Sequence, residues 1–189
     1  MIKNSFIVGT AVALLCGTGV RPAEAQEVKT SSTTGIVEVS QVAITNAEAE
    51  VEKARAAIEK GKQLLTLIPE DSPLMPDVAQ VIEAASENWK IAVDSLNGAK
   101  ESASKISTAS NASIADDYAL LAKVNAGVAL SGAKVVQIAL TYIEAIAAEQ
   151  TESLEIIRTA MQDALASCSQ VQFNYERVKS LIAQKYSSK

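Results

Sequence analysis

Four long stretches of this sequence carry uncharged residues at alternating steps of three and four, and this repeat constrains the fold more than any other feature. A 3.5-residue repeat places its members on one stripe of an α-helix, whereas a half-buried strand needs a period of two. The first stretch, from about residue 37 to 68, therefore predicts one long helix. Its stripe comprises Ser40, Ile44, Ala47, Val51, Ala54, Ile58, Gly61, Leu65 and Ile68.

The same repeat runs through three further stretches, from Val78 to Ile106, from Ile114 to Ile146 and from Leu154 to Ile182. No position of the four stripes is charged, although 21% of the chain's residues are charged. Such segregation is typical of helices that pack through one apolar seam and expose their charged faces. The sequence therefore predicts four helices rather than a mixed fold.

The breaks between the stretches differ in strength. Pro69 and Pro76 separate the first two stretches, because proline disrupts the interior of a helix but suits its first turn. A Ser/Thr/Asn group at 107–113 predicts a turn or a helix cap before the third stretch. Thr151 or Ser153 could cap the fourth helix, but neither proline nor glycine stands at this break. Helices three and four are therefore either separate or one continuous rod.

Helices of matched length with short connections favour antiparallel neighbours. We therefore predict an all-α fold, an elongated antiparallel four-helix bundle with coiled-coil-like heptad packing, over residues 37–187. Many stripe positions are alanine, glycine or serine, so the helix backbones should approach one another closely.

The first 25 residues are typical of a secretory signal peptide, with Lys3, an apolar run and the sequence Ala23-Glu24-Ala25 before the cleavage site. We predict cleavage after Ala25, a periplasmic or secreted product, and a flexible Ser/Thr-rich linker at 26–36. Lipidation of Cys16 is an alternative, although Leu15 before it fits a lipobox poorly. A second alternative is that residues 1–25 are retained as an N-terminal anchor.

The absence of histidine excludes many functions, because the chain has none. Histidine-ligated zinc, di-iron and haem sites and histidine-dependent nucleophile systems cannot be built without it. We therefore predict a non-enzymatic protein with no cofactor and no metal. A net charge of −5 without a basic cluster also makes nucleic acid a poor partner.

Several stripe residues have both a structural and a functional interpretation. Cys168 is either a reactive thiol or, as we favour, a small buried hydrophobe. Asn125 either binds a ligand or sets the helix register. The stripe aromatics are expected to be core residues rather than the lining of a cofactor channel; they are Trp89, Tyr118, Tyr142 and Tyr175.

The third helix is apolar over a wider arc than one stripe requires. Leu120, Ile138 and Leu140 lie outside its main stripe and form a possible interaction face, unless this helix is simply the most buried of the four. We predict a function in protein–protein interaction or self-association. A membrane-active protein of toxin or effector type is the alternative, although Lys134 disfavours a stable span. A small-ligand carrier with a site between helices is a third.

Overall fold

The computed structural model describes residues 33–187, which form four long α-helices. We number them α1 (Thr33–Leu65), α2 (Met75–Ser104), α3 (Ala112–Ala147) and α4 (Leu154–Ser187). The described part of the chain contains no β-strand. The prediction of an all-α fold with four helices packed against one another is confirmed.

Residues 33–36, the last four of the segment predicted to be a flexible linker at 26–36, are instead helical and belong to α1. The predicted signal peptide and residues 26–32 lie outside the described residues.

Local sequence explains where α2 and α3 begin. Pro76 lies in the first turn of α2, where its missing N–H costs no intrahelical hydrogen bond. Asn111 caps α3, and its side-chain oxygen accepts a hydrogen bond of 3.0 Å from the backbone N–H of Ile114. The cap predicted within 107–113 is therefore present.

Helices α3 and α4 are separate, so the alternative of one continuous rod is wrong. The break is a backbone turn at Glu149, whose φ of 56° lies in the left-handed region. The N–H of Glu149 donates to Ile146 O at 3.0 Å, and the N–H of Gln150 donates to Ala145 O at 2.9 Å. These two bonds form a Schellman motif, which usually has glycine at the left-handed position. A 3₁₀ turn, Thr151–Ser153, then leads into α4.

Helix α3 is the centre of the fold, since α1, α2 and α4 all pack along it. All four stripes predicted from the sequence face inward in the structure, because none of their residues is exposed. The helices approach most closely at small residues. A Cβ placed on Gly132 of α3 would lie 2.8 Å from the carbonyl oxygen of Asn88 on α2.

Asn125 lies in a similar close approach between α2 and α3. Its side chain is buried and lies against Gly98 of α2, where a Cβ would come within 3.1 Å of Asn125 Nδ2. This contact ties one polar residue of α3 to one glycine of α2, a pairing that favours a single register between the two helices.

Candidate functional site

Helix α4 is less covered than the other helices of the described chain. Its backbone approaches only α3 and the preceding 3₁₀ turn, whereas α3 has helices on several sides. No residue of α4 beyond Cys168 is buried, although its apolar stripe continues through Val171, Tyr175, Val178 and Ile182. The second half of α4 is therefore apolar on one side and only partly enclosed.

The opposite side of α4 carries large apolar side chains in solvent. Phe173 is 64% exposed, and Ile156 and Leu181 are each 56% exposed. At 100° per residue these side chains fall on one broad side of the helix, away from the stripe that packs on α3. We call this surface the outer face of α4; it comprises Ile156, Asp163, Ser167, Gln170, Phe173, Arg177 and Leu181.

Two opposite charges lie on the outer face without partners. Asp163 and Arg177 are exposed, and neither forms an ion pair with any described residue. They stand fourteen residues apart, which is about 21 Å along a helix axis. Each is therefore available to a charge on another molecule.

A polar network fastens the first half of α4 to the rest of the fold. Arg158 Nη2 donates to Asp77 Oδ2 on α2 at 2.6 Å and to Tyr142 Oη on α3 at 3.2 Å. The Tyr142 hydroxyl donates to the same Asp77 oxygen at 3.2 Å. Burial raises the pKa of Tyr142, while the hydrogen bond from Arg158 acts in the opposite direction. The phenol therefore stays protonated in the folded protein at neutral pH.

A second fastening lies at the far end of α4. Lys185 Nζ lies 2.6 Å from Asp117 Oδ2, and the Tyr186 hydroxyl donates to the same oxygen at 2.5 Å. The hydrogen bond to Asp117 raises the pKa of both Lys185 and Tyr186. Both ends of α4 are thus held by polar contacts, which fix the orientation of its outer face.

The three residues predicted as an interaction face lie in different surroundings. Leu120 is 41% exposed, whereas Ile138 and Leu140 are half-buried. Ile138 packs against the core cluster around Tyr142, and Leu140 packs against the cluster around Ala133. The structure does not bring them together on one surface, because Leu140 lies about 200° around the helix from the other two.

Leu140 instead lines a groove between α1 and α2, whose floor is α3. The groove has a volume of about 390 Å³, within the range of about 300–1,000 Å³ typical of small-molecule sites. Large apolar side chains line it, namely Ile58, Leu65, Ile82, Trp89, Leu140 and Ile143. Small residues of all three helices also line it, among them Gly61 on α1, Ala85 on α2 and Ala139 on α3.

The other candidate residues have mainly packing roles in the structure. Cys168 is a free thiol and only 2% exposed, in agreement with its interpretation as a small hydrophobe. Tyr142 is a core residue with a bonded hydroxyl. Trp89 is half-buried and borders the groove, which its stripe position alone could not reveal.

Helix α3 is the one described helix that is long and apolar enough to cross a membrane by length and composition. Of its most apolar window, 56% is buried within the protein, as is common for a core helix of a soluble protein. Within residues 33–187, no group of three or more cysteine, aspartate or glutamate residues is placed to hold a metal ion.

Comparison of the chain with protein-family models, with curated proteins and with solved structures found no match.

Proposed function

We propose that this chain is an exported, non-enzymatic helical-bundle protein that acts by self-association, with the outer face of α4 as the contact between two copies. The observation that carries the proposal is that the outer face of α4 is left uncovered, so that Phe173, Ile156 and Leu181 remain in solvent. Export rests on the signal-peptide pattern of residues 1–25.

The charges of α4 favour a second copy of the same helix as the partner. Its first half has a net charge of −1, from Glu155, Arg158 and Asp163. Its second half has a net charge of +2, from Glu176, Arg177, Lys179 and Lys185. Two α4 helices that run in opposite directions would place each acidic half beside the basic half of the other. Such complementarity specifies a partner and its orientation.

The unpaired charges of the outer face are also matched under that pairing. If the two-fold axis passes near Gln170, Asp163 of one copy faces Arg177 of the other. The two unpaired charges are thereby satisfied by one isologous contact.

Within one copy, we propose an antiparallel bundle with coiled-coil-like heptad packing. The contacts along α2 and α3 support opposite directions, since Gly98 meets Asn125 whereas the earlier Asn88 meets the later Gly132. The contacts of α4 support the same for α3 and α4: Arg158 reaches Tyr142, and Lys185 reaches Asp117. The inward-facing 3.5-residue stripes support heptad packing.

Sedimentation velocity over a range of concentrations tests the self-association. We expect the parent protein to form dimers and the double variant Phe173→Ser/Leu181→Ser to remain monomeric with an unchanged helical content, because both side chains are exposed in the monomer. Val42→Ser on α1 is the matched control, since Val42 is 60% exposed and lies elsewhere. A parent protein that stays monomeric at every concentration would refute the proposal.

The length and mean hydropathy of α3 favour membrane activity as a second candidate function. Against it, α3 is the helix on which the other three pack, and Lys134 is exposed near its middle. Release of a dye from anionic liposomes by the parent protein, with loss of that release in Val135→Lys, would favour the membrane-active function over self-association.

A further inference from the structure

The groove between α1 and α2 combines an apolar floor with unused hydrogen-bond donors. Arg55 borders the groove. Its Nη1 lies 3.9 Å from Glu52 Oε2, and both side chains are about 70% exposed. Trp89 borders it as well, and no described residue accepts a hydrogen bond from its indole N–H. Two donors without acceptors therefore stand beside a surface that apolar side chains form.

The charge at the rim is opposite in sign to that of the chain. The rim carries Arg55 and Lys62 against Glu59, whose carboxylate is already paired with Lys62 at 2.9 Å. Arg55 is thus the most loosely paired charge of the rim, held only by the 3.9 Å contact with Glu52, in a protein with a net charge of −5. An exposed guanidinium without a hydrogen-bond acceptor, beside an apolar groove, is complementary to a carboxylate attached to an apolar tail.

We propose that this groove binds a single-chain amphiphile with a carboxylate head group, such as a medium-chain fatty acid. The acyl chain lies over Ile58, Leu140 and Ile143, and the carboxylate pairs with Arg55. The groove lies where the two core clusters of the protein meet, and its lining comes from both. No residue of α4 lines it, so this binding does not depend on the proposed self-association.

Trp89 is the single tryptophan of the chain and provides a reporter within the groove. Titration with sodium dodecanoate, below the concentration at which it forms micelles, is expected to shift the Trp89 emission to the blue and to saturate at one molecule per chain. Dodecanol and dodecyltrimethylammonium have the same tail without the negative charge. We expect both to bind about tenfold more weakly, because they cannot pair with Arg55.

Two variants separate the head-group contact from the groove itself. Arg55→Glu should weaken dodecanoate binding about tenfold and leave dodecanol binding unchanged, while the same charge change at the exposed Lys123 should alter neither. Ala85→Leu should fill the groove and abolish binding of both ligands. Ala79→Leu, on the exposed side of the same helix, should not.

Circular dichroism and thermal melting establish that each variant is folded, and Arg55→Glu changes only an exposed side chain. The proposal is overturned if emission changes only where micelles form, or if Arg55→Glu binds dodecanoate as tightly as the parent protein. Undiminished binding by a folded Ala85→Leu variant would equally overturn it. Binding to phospholipid vesicles without binding to dodecanoate would show that a membrane surface, not this groove, is the site.

Discussion

Gly132 of α3 lies so close to α2 that a Cβ at this position would come within 2.8 Å of the carbonyl oxygen of Asn88. The same Cβ would lie 3.3 Å from both the backbone nitrogen and the Cβ of Ala92. The neighbours are mostly backbone atoms, which cannot rotate away as a side chain can. The absence of a side chain at Gly132 therefore sets the distance between the two helices.

Gly132→Ala should lower the free energy of unfolding by about 1–3 kcal/mol, because the two helices must move apart to admit the methyl group. Chemical denaturation of the variant and of the parent protein measures this difference in the free energy of unfolding. Gly127→Ala is the control, since its Cβ would meet Val171 Cγ1 at an ordinary 3.7 Å. That change should be neutral or stabilise by up to about 1 kcal/mol through helix propensity. Equal effects of the two substitutions would contradict the close approach.

Glu149→Gly should raise the free energy of unfolding by about 0.5–1 kcal/mol. At a φ of 56° the Cβ of glutamate is sterically strained, whereas glycine has no Cβ and is not. Glu152→Gly, in the adjacent 3₁₀ turn, should instead destabilise, since glycine there only adds freedom to the unfolded chain. Thermal melting of both variants shows whether each substitution raises or lowers the stability of the fold. A Glu149→Gly variant less stable than the parent protein would mean that the turn is not left-handed.

Above about pH 10, the free energy of unfolding of Tyr142→Phe should depend less on pH than that of the parent protein. The pKa of Tyr142 is raised in the folded state, chiefly by burial, so its contribution to stability is present below the pKa of the unfolded chain. That contribution is lost as the pH rises through the folded value. The stability difference between the parent protein and Tyr142→Phe should therefore narrow at alkaline pH. A constant difference from pH 8 to 11 would argue against a buried, protonated phenol.

Cys168 should react with a thiol reagent only after denaturant is added, because it is 2% exposed. Labelling is best measured in a Cys16→Ser background, so that Cys168 is the one thiol present. Ser169→Cys adds an exposed thiol one residue away and should label at once. Rapid labelling of native Cys168 would show that α4 does not pack on α3 as described.

Much of the fold follows from the 3.5-residue repeat. Burial removes the charged residues from one stripe of each helix, so the repeat identified the inward-facing residues of all four helices. The turn at Glu149 was less accessible to prediction, because a glutamate in the left-handed region carries no sequence signal comparable to glycine.

The candidate sites were predicted less well than the fold, because they depend on which helices are neighbours. The apolar arc of α3 was visible in the sequence, but Leu120 and Leu140 lie on different sides of the helix. The groove requires side chains of three helices, such as Leu65, Trp89 and Leu140, to line one space, and the exposure of Phe173 requires the outer face of α4 to remain uncovered. Neither relationship is encoded in one helix.

The most direct test of the proposed self-association is a charge exchange between Asp163 and Arg177, followed by sedimentation velocity. Asp163→Arg places two basic residues together at each end of the proposed α4 pair, and Arg177→Asp places two acidic residues together. Each variant alone should therefore be largely monomeric where the parent protein is dimeric. An equal mixture should recover the dimer, because every contact then joins opposite charges. Variants that dimerise alone as the parent protein does, or a mixture that stays monomeric, would contradict the antiparallel contact through the outer face of α4.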